Sequence, residues 1–281
     1  ARNMEAVIEN DRVIAHDDVI NMLPRLTRKS VEYLDSRAGQ DQPFFLYVPL
    51  GSPHTPIVPS ADWQGKSGLG DYGDFVMQID ATIGKILEAL DRKGIKDNTL
   101  VVVTSDNGPS WYEREEGRFG HLARGAFRGR KGTAWEAGHR VPFLVRWPGK
   151  TPAGATSNQL LCLTDMMATL AAAGGRPLPQ DPGGDSVNML PAFLGRADQP
   201  LRELLPLMRF GEVMRKGKWK LIPYPGGEPK SAMIQQDQDE GLKWQLYDLE
   251  ADPEETRNLL LEEPEVVEDL RREIIRVRNP R

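Results

Sequence analysis

A carboxylate and an amide close a short β-branched run. Leu100-Val101-Val102-Val103 leads through Thr104-Ser105 into Asp106-Asn107-Gly108. Branched side chains favour a strand, and Asp-Asn-Gly cannot continue one. The run is read as a strand buried on both faces, with Asp106 and Asn107 at its carboxyl end, the edge at which open α/β sheets bind ligands. Adjacent hard oxygen donors suit Mg²⁺ or Ca²⁺ better than a soft metal, although Asn-Gly would also make a plain turn.

Two further side chains have the chemistry of anion and proton handling. His54 stands in Ser52-Pro53-His54-Thr55-Pro56, where prolines on both sides restrict the backbone and hold the imidazole. Such a histidine is either a loop hydrogen-bonder or a proton carrier. Lys131 opens Lys131-Gly132-Thr133-Ala134-Trp135-Glu136-Ala137-Gly138-His139-Arg140. A lysine before glycine is either a surface charge or a point charge for an oxyanion.

The net charge is −5, but cations are concentrated. From Arg118 to Lys150 eight Lys or Arg face one acid, Glu136. This cationic island follows the Asp106-Asn107 strand end, so it reads either as a field favouring an anionic substrate or as a solvated basic loop. Nucleic acid is not indicated, because the remainder is acidic and carries no binding motif. No apolar run approaches the ~20 residues that cross a bilayer, so no membrane partner is expected. The first residues lack the basic-then-apolar order of a signal peptide. The single cysteine, Cys162, excludes an intrachain disulfide and a zinc cluster, and its apolar neighbours predict a buried small hydrophobe.

The elements that must carry these groups alternate. Asp17 and Asp18 cap a helix bearing Val31 and Leu34, restarted at Pro24 and ended by Gly39. Pro43–Leu50 reads as a strand, and Tyr72–Lys93 as a helix with Val76, Ile79, Ile83, Ile86, Leu87 and Leu90 at helical spacing. After the Asp106-Asn107 end comes a Gly- and Arg-rich excursion, Pro109–Gly132, long enough to form a site wall. Val141–Trp147 is a strand and Leu160–Gly174 a buried helix with Met166 and Met167 as core filler. Beyond about Gly195 the character changes. Gly217–Ile222 and Trp244–Leu249 read as antiparallel strands separated by a loop rich first in Pro and Gly, then in Gln and Asp. A turn at Asp252–Asn258 leads to a last helix with a stripe of Val266, Leu270, Ile274 and Val277. From Gln235 to Glu273 there are 14 acids against four bases, read as a solvated face.

Ser52-Pro53-His54-Thr55-Pro56, Ser105-Asp106-Asn107-Gly108 and Lys131–Pro142 stand in the order and spacing of one family. From about Asp17 to its end the chain resembles the C-terminal half of a type I (formylglycine-dependent) sulfatase, in the alkaline phosphatase-like superfamily. The resemblance implies an α/β fold: part of a mixed β-sheet flanked by helices, plus a small C-terminal antiparallel sheet with a final helix. It divides the chain into 1–196, a portion of the catalytic domain, and 197–281, a small α+β subdomain. It makes Asp106 and Asn107 metal ligands for Ca²⁺ or Mg²⁺, with Asp106 also a proton acceptor. Lys131 becomes the lysine that holds sulfate oxygens, and His54 the histidine that contacts sulfate and helps protonate the leaving oxygen. His121 sits where related sulfatases often carry a substrate-contacting histidine. Glu136 and Arg140 brace the site, and Ala137-Gly138 replaces the usual Gly-Gly. The substrate implied is a small-molecule or carbohydrate sulfate ester, and a periplasmic or secreted setting is compatible with the family.

The family's nucleophile has no counterpart here. It is a cysteine in Cys-x-Pro-x-Arg, oxidised to formylglycine, whereas Cys162 is followed by Leu163-Thr164-Asp165. Asp17-Asp18 are read as preceding a helix instead of ending a strand, and so not as the family's early metal pair. Ca²⁺ takes about six to eight oxygens, of which Asp106 and Asn107 supply about three. The expectation is a fragment that is inactive alone, completed by the missing N-terminal half of the same domain. A phosphonate or phosphodiester hydrolase of the same superfamily and a non-catalytic anion-binding module are the alternatives.

Overall fold

In a computed structural model the described residues are 4–176, 178, 185–207, 213–223 and 244–278. They fall into two compact units. The first runs to Leu100 and includes Trp147–Gly149; the second comprises Val101–Arg146 and the described residues from Lys150 onward.

The first unit opens on an antiparallel hairpin, β1 (Met4–Glu9) and β2 (Arg12–Asp18), with Asn10 and Asp11 at positive φ in its turn. This hairpin is absent from the sequence reading, and it corrects one inference: Asp17 and Asp18 do end a strand. Their carboxylates are committed locally all the same. Asp17 pairs with Arg25 at 2.6 Å and accepts from Asn21 at 2.8 Å, and Asp18 accepts from the Ile20 amide at 3.2 Å. Helix α1 (Met22–Arg37) then packs on α2 (Gly70–Arg92) through Leu23, Leu34, Phe75, Ala89 and Leu90, with Thr27 and Thr82 hydroxyls 2.9 Å apart between them. Asp74 of α2 is buried and accepts the Gly65 and Ser67 amides, both at 2.7 Å, which pins the preceding loop. The strand expected at Pro43–Leu50 does not form. No described residue pairs with it, and Phe45 and Tyr47 are each 74% exposed.

The second unit begins with β3 (Val101–Thr104), followed by α3 (Glu113–Phe119), α4 (Glu136–His139) and β4 (Phe143–Arg146). β3 pairs antiparallel with β4, Val101 opposite Arg146, in a two-stranded sheet. With one neighbour among the described residues, β3 is half-buried, not enclosed on both faces as its composition predicts. Helix α5 (Met166–Ala173) starts later than Leu160, because a 3₁₀ turn at Leu163–Asp165 precedes it, and α6 (Leu190–Phe193) follows. Cys162 is half-exposed at that turn, its amide bonded to the Asp165 carboxylate at 2.9 Å, and Met167 is 52% exposed; neither is core.

Strands β5 (Leu204–Leu207), β6 (Val213–Lys216), β7 (Trp219–Pro223) and β8 (Trp244–Asp248) form an antiparallel sheet in that order. Helix α7 (Pro264–Arg278) covers one face, where Met214, Leu221 and Leu246 meet Leu270 and Ile274. On the other, Val213, Ile222, Tyr247 and Leu249 pack around Trp135. The loop expected between β7 and β8 lies outside the described residues.

Candidate functional site

The strand end and the lysine loop are brought together by backbone. Lys131 donates its amide to the Pro109 carbonyl at 2.9 Å, and Gly108 donates to the Gly138 carbonyl at 3.0 Å. Gly108 is required there: a Cβ would stand 1.7 Å from the Ala137 carbonyl oxygen. Gly138 is equally constrained, since its Cβ would meet the Thr133 carbonyl oxygen at 2.1 Å. Two chain segments more than twenty residues apart in sequence are thus joined by backbone bonds, and Asp106, Asn107 and Lys131 lie at or next to the bonded residues.

Asp106 is exposed, and its carboxylate makes no hydrogen bond or ion pair among the described residues. Asn107 spends its amide nitrogen on the Gly108 carbonyl at 3.0 Å, which leaves its side-chain oxygen for another partner. The donor set therefore fits a hard divalent cation in kind but is short in number, about three of six to eight oxygens. No group of three or more His, Cys, Asp or Glu suited to a metal occurs among the described residues.

Several cations of the island are engaged by protein acceptors. Arg124 meets Glu116 at 2.9 Å, Arg130 meets Glu113 at 2.9 Å, Arg140 meets Glu136 at 3.3 Å, and Arg128 donates to the Glu255 carbonyl at 3.0 Å. Glu113 and Glu116 lie on α3, just upstream of the island as counted from sequence. Lys131, half-buried, has no carboxylate partner among the described residues, so the field available to an anion is narrower than the raw count suggests.

His121 is exposed, with its ring edge-on to Trp111 at 6.0 Å and its carbonyl accepting the Trp111 indole N–H at 2.9 Å. His54 belongs to the first unit. Its amide donates to the Gly51 carbonyl at 3.0 Å and its Nδ1 lies 2.9 Å from the Thr55 carbonyl oxygen, so the ring is held while remaining exposed. With Nδ1–H committed to Thr55, Nε2 is the nitrogen left for chemistry.

A buried ion cluster that the sequence reading missed lies beneath the lysine loop. The Lys220 ammonium on β7 is fully buried and donates to Glu136 at 3.0 Å and Glu255 at 2.8 Å, with His139 Nε2 at 3.0 Å. Glu255 also accepts the Glu136 amide at 2.6 Å, and Arg215 stands 3.7 Å from Glu136. A buried ammonium is tolerated only when its protons are matched by acceptors. Burial by itself would push the Glu136 carboxyl up, but Lys220 and its neighbours outweigh it and hold the group at about 2. Burial and the same ammonium lower His139 to about 4, so the ring is neutral. Burial raises the Glu255 carboxyl despite Lys220. Glu255 was counted in an acidic, solvated stretch and is instead wholly enclosed. The signal for Lys220 was its place between Trp219 and Leu221-Ile222, a run whose period puts it on one face with Ile222.

The sulfatase family profile matches residues 24–175. The N-acetylgalactosamine-6-O-sulfatase of Bacteroides thetaiotaomicron is 38% identical over 252 residues, which are 87% of this chain and 48% of that protein. A solved sulfatase concerned with glycosaminoglycan metabolism in the same organism superposes with TM-score 0.79 at 33% identity, covering 98% of this chain and 61% of that one. Ps i-CgsB, solved in complex with k-i-k-neocarrahexaose, gives TM-score 0.74 at 26% identity over 97% of this chain and 57% of its own. The chain spans about half the length of such curated relatives, 48% and 45% for two of them. The mixed α/β architecture, with its small antiparallel sheets and final helix, is that of the alkaline phosphatase-like sulfatases.

Proposed function

Because this chain belongs to the sulfatase family, we propose that it carries the later metal ligands and the anion-binding lysine of an enzyme that hydrolyses carbohydrate sulfate esters. The observation that carries the reading is the seam described above, in which an unpaired lysine and two free hard-oxygen side chains emerge from hydrogen-bonded neighbours. The sugar class is suggested by the N-acetylgalactosamine-6-O-sulfatase relative.

In this reading Asp106 and Asn107 would hold Ca²⁺ or Mg²⁺ through side-chain oxygens, and a cation held there would supply Lewis-acid stabilisation of sulfate charge. The Lys131 ammonium stabilises the non-bridging oxygens as charge builds on them. A free Asp106 oxygen would accept the proton of an attacking hydroxyl, and His54, with its ring doubly protonated, would give the Nε2 proton to the departing alkoxide and return to the neutral ring. His121, exposed on the excursion, is the residue assigned in this reading to the alcohol part of the ester. In this reading the formylglycine nucleophile and the remaining metal oxygens would be supplied from outside these 281 residues. Residues 1–196 are then part of the catalytic domain and 197–281 its small subdomain.

The test is to offer the 281-residue chain a 6-O-sulfated N-acetylgalactosamine with Ca²⁺, following turnover and sulfate binding together. The reading expects binding that Lys131→Ala abolishes, and no turnover. Turnover abolished by Asp106→Ala would overturn the incompleteness; absence of sulfate binding would overturn the anion site.

A further inference from the structure

We infer that Lys220 is a positioning residue for the anion-binding loop: its buried ammonium, held between Glu136 and Glu255, fixes the Lys131 segment from the C-terminal sheet and, through α4, the strand end bearing Asp106 and Asn107. This rests on the roles proposed above for Lys131 and Asp106.

The connection can be followed atom by atom. Lys220 lies on the face of β7 that also carries Ile222, toward Trp135. Its Nζ grips Glu136, the first residue of α4, directly at 3.0 Å and through Glu255 at 2.8 Å, whose second carboxylate oxygen takes the Glu136 amide at 2.6 Å. Three consecutive residues of α4 then bond outward through their backbones to three different places. Glu136 bonds to Glu255, the Ala137 amide to the Arg128 carbonyl at 2.9 Å, and the Gly138 carbonyl to the Gly108 amide at 3.0 Å. Lys131 thus precedes in the chain, and the Asp106 strand end is bonded through Gly108 to, a helix whose start is anchored to Lys220 and Glu255.

Two features argue that this is more than packing. Glu255 adopts φ +55°, a conformation that residues with a Cβ rarely take and that persists only where surroundings over-determine it. Apolar side chains already fill this face of the sheet, and an apolar residue at 220 would serve packing at least as well as a paired charge. What an apolar residue cannot do is orient. His139 Nε2 also stands 3.0 Å from the ammonium and 3.1 Å from the Ala134 carbonyl oxygen, so α4 and the Glu255 turn enclose the charge, with Arg215 and Arg140 the other charges facing Glu136.

The experiment compares the unaltered chain with Lys220→Met, Lys220→Arg and Glu255→Gln, and with Arg202→Met, which breaks the separate buried pair to Asp165. Two quantities are read: hydrogen exchange at the Gly108, Lys131 and Ala137 amides, and affinity for inorganic sulfate. Lys220→Met is expected to raise exchange at these amides and weaken sulfate by about tenfold, with the β7–β8 amides still protected and Lys220→Arg recovering part of the loss. Arg202→Met should lower the melting temperature and leave both readouts alone. Unchanged exchange at Gly108 and Lys131 in folded Lys220→Met, or in Glu255→Gln should the first variant not fold, overturns the inference. Loosened exchange in a chain whose unaltered form binds no sulfate upholds the positioning and removes the anion-site reading.

Discussion

The Gly108 amide donates to the Gly138 carbonyl at 3.0 Å, and by that bond the strand end bearing Asp106 and Asn107 is tied to the short helix that follows Lys131. A β-branched run ended by Asp-Asn-Gly and a loop that folds back through Lys-Gly-Thr are unremarkable apart. Joined, they bring the backbone of the strand end and of the lysine loop together, and the chemistry proposed above rests on that neighbourhood.

The seam tolerates no side chain at position 108. In Gly108→Ala the Cβ would sit 1.7 Å from the Ala137 carbonyl oxygen, so backbone has to move on one side or the other. Overpacking of this kind costs about 3 kcal/mol. Urea denaturation is expected to register that loss, and calcium affinity to fall with it.

Lys131 behaves differently. It has no ion pair among the described residues to lose, so Lys131→Ala should change stability by less than about 0.5 kcal/mol. Sulfate affinity should nonetheless drop by about a hundredfold, as loss of an oxyanion donor does. Calorimetry beside a thermal melt checks both halves.

The Asp165–Arg202 pair predicts the opposite pattern. Asp165 is fully buried and bonds the amides of Cys162 and Val187 at 2.9 and 2.8 Å besides its arginine. Arg202→Met leaves a buried carboxylate without its cation, which costs about 3–5 kcal/mol. Sulfate and metal binding should be untouched.

His139 gives the fold a pH dependence of definite sign. Its folded value, about 4, lies below the ordinary 6.5, so the unfolded chain takes up a proton first. Its contribution is complete above about pH 6.5 and is lost as pH falls toward about 4. Glu255 runs the other way in the carboxylate range, because its folded carboxyl keeps its proton to higher pH. The His139 share is therefore read between about pH 6.5 and about 4 as the difference between the unaltered chain and His139→Gln, the Glu255 contribution being common to both. Denaturation midpoints should decline over that window, and His139→Gln should flatten the decline.

Much of this was legible in the sequence because apolar spacing survives into the fold. Leu34 of α1, Leu90 of α2, and Leu270 and Ile274 of α7 are buried within their expected stripes, and β7 and β8 pair as their alternation suggests, whereas Val76 of the expected α2 stripe is 43% exposed and the core there includes Leu23 and Phe75, which the spacing did not single out. What misled were signals that depend on neighbours. Pro43–Leu50 has strand composition but no partner among the described residues, and β3 has one neighbour where its residues suit two. The β1–β2 hairpin escaped notice because its apolar residues, Ile8, Val13 and Ile14, face solvent. Lys220 and Glu255 were missed for a different reason: a charge inside a core announces itself only when its counter-charges, 84 and 35 residues away along the chain, are seen beside it.

The central claim is that a cation at Asp106 and Asn107 and an anion at Lys131 share one site. Mn²⁺, a paramagnetic stand-in for the hard cation, tests it most directly through nuclear resonance broadening. The account predicts broadening centred on Asp106 and Asn107 that reaches the Gly108 and Lys131 amides, disappears in Asp106→Ala and sharpens sulfate affinity in the unaltered chain. Broadening centred elsewhere, or unchanged by Asp106→Ala, would contradict it.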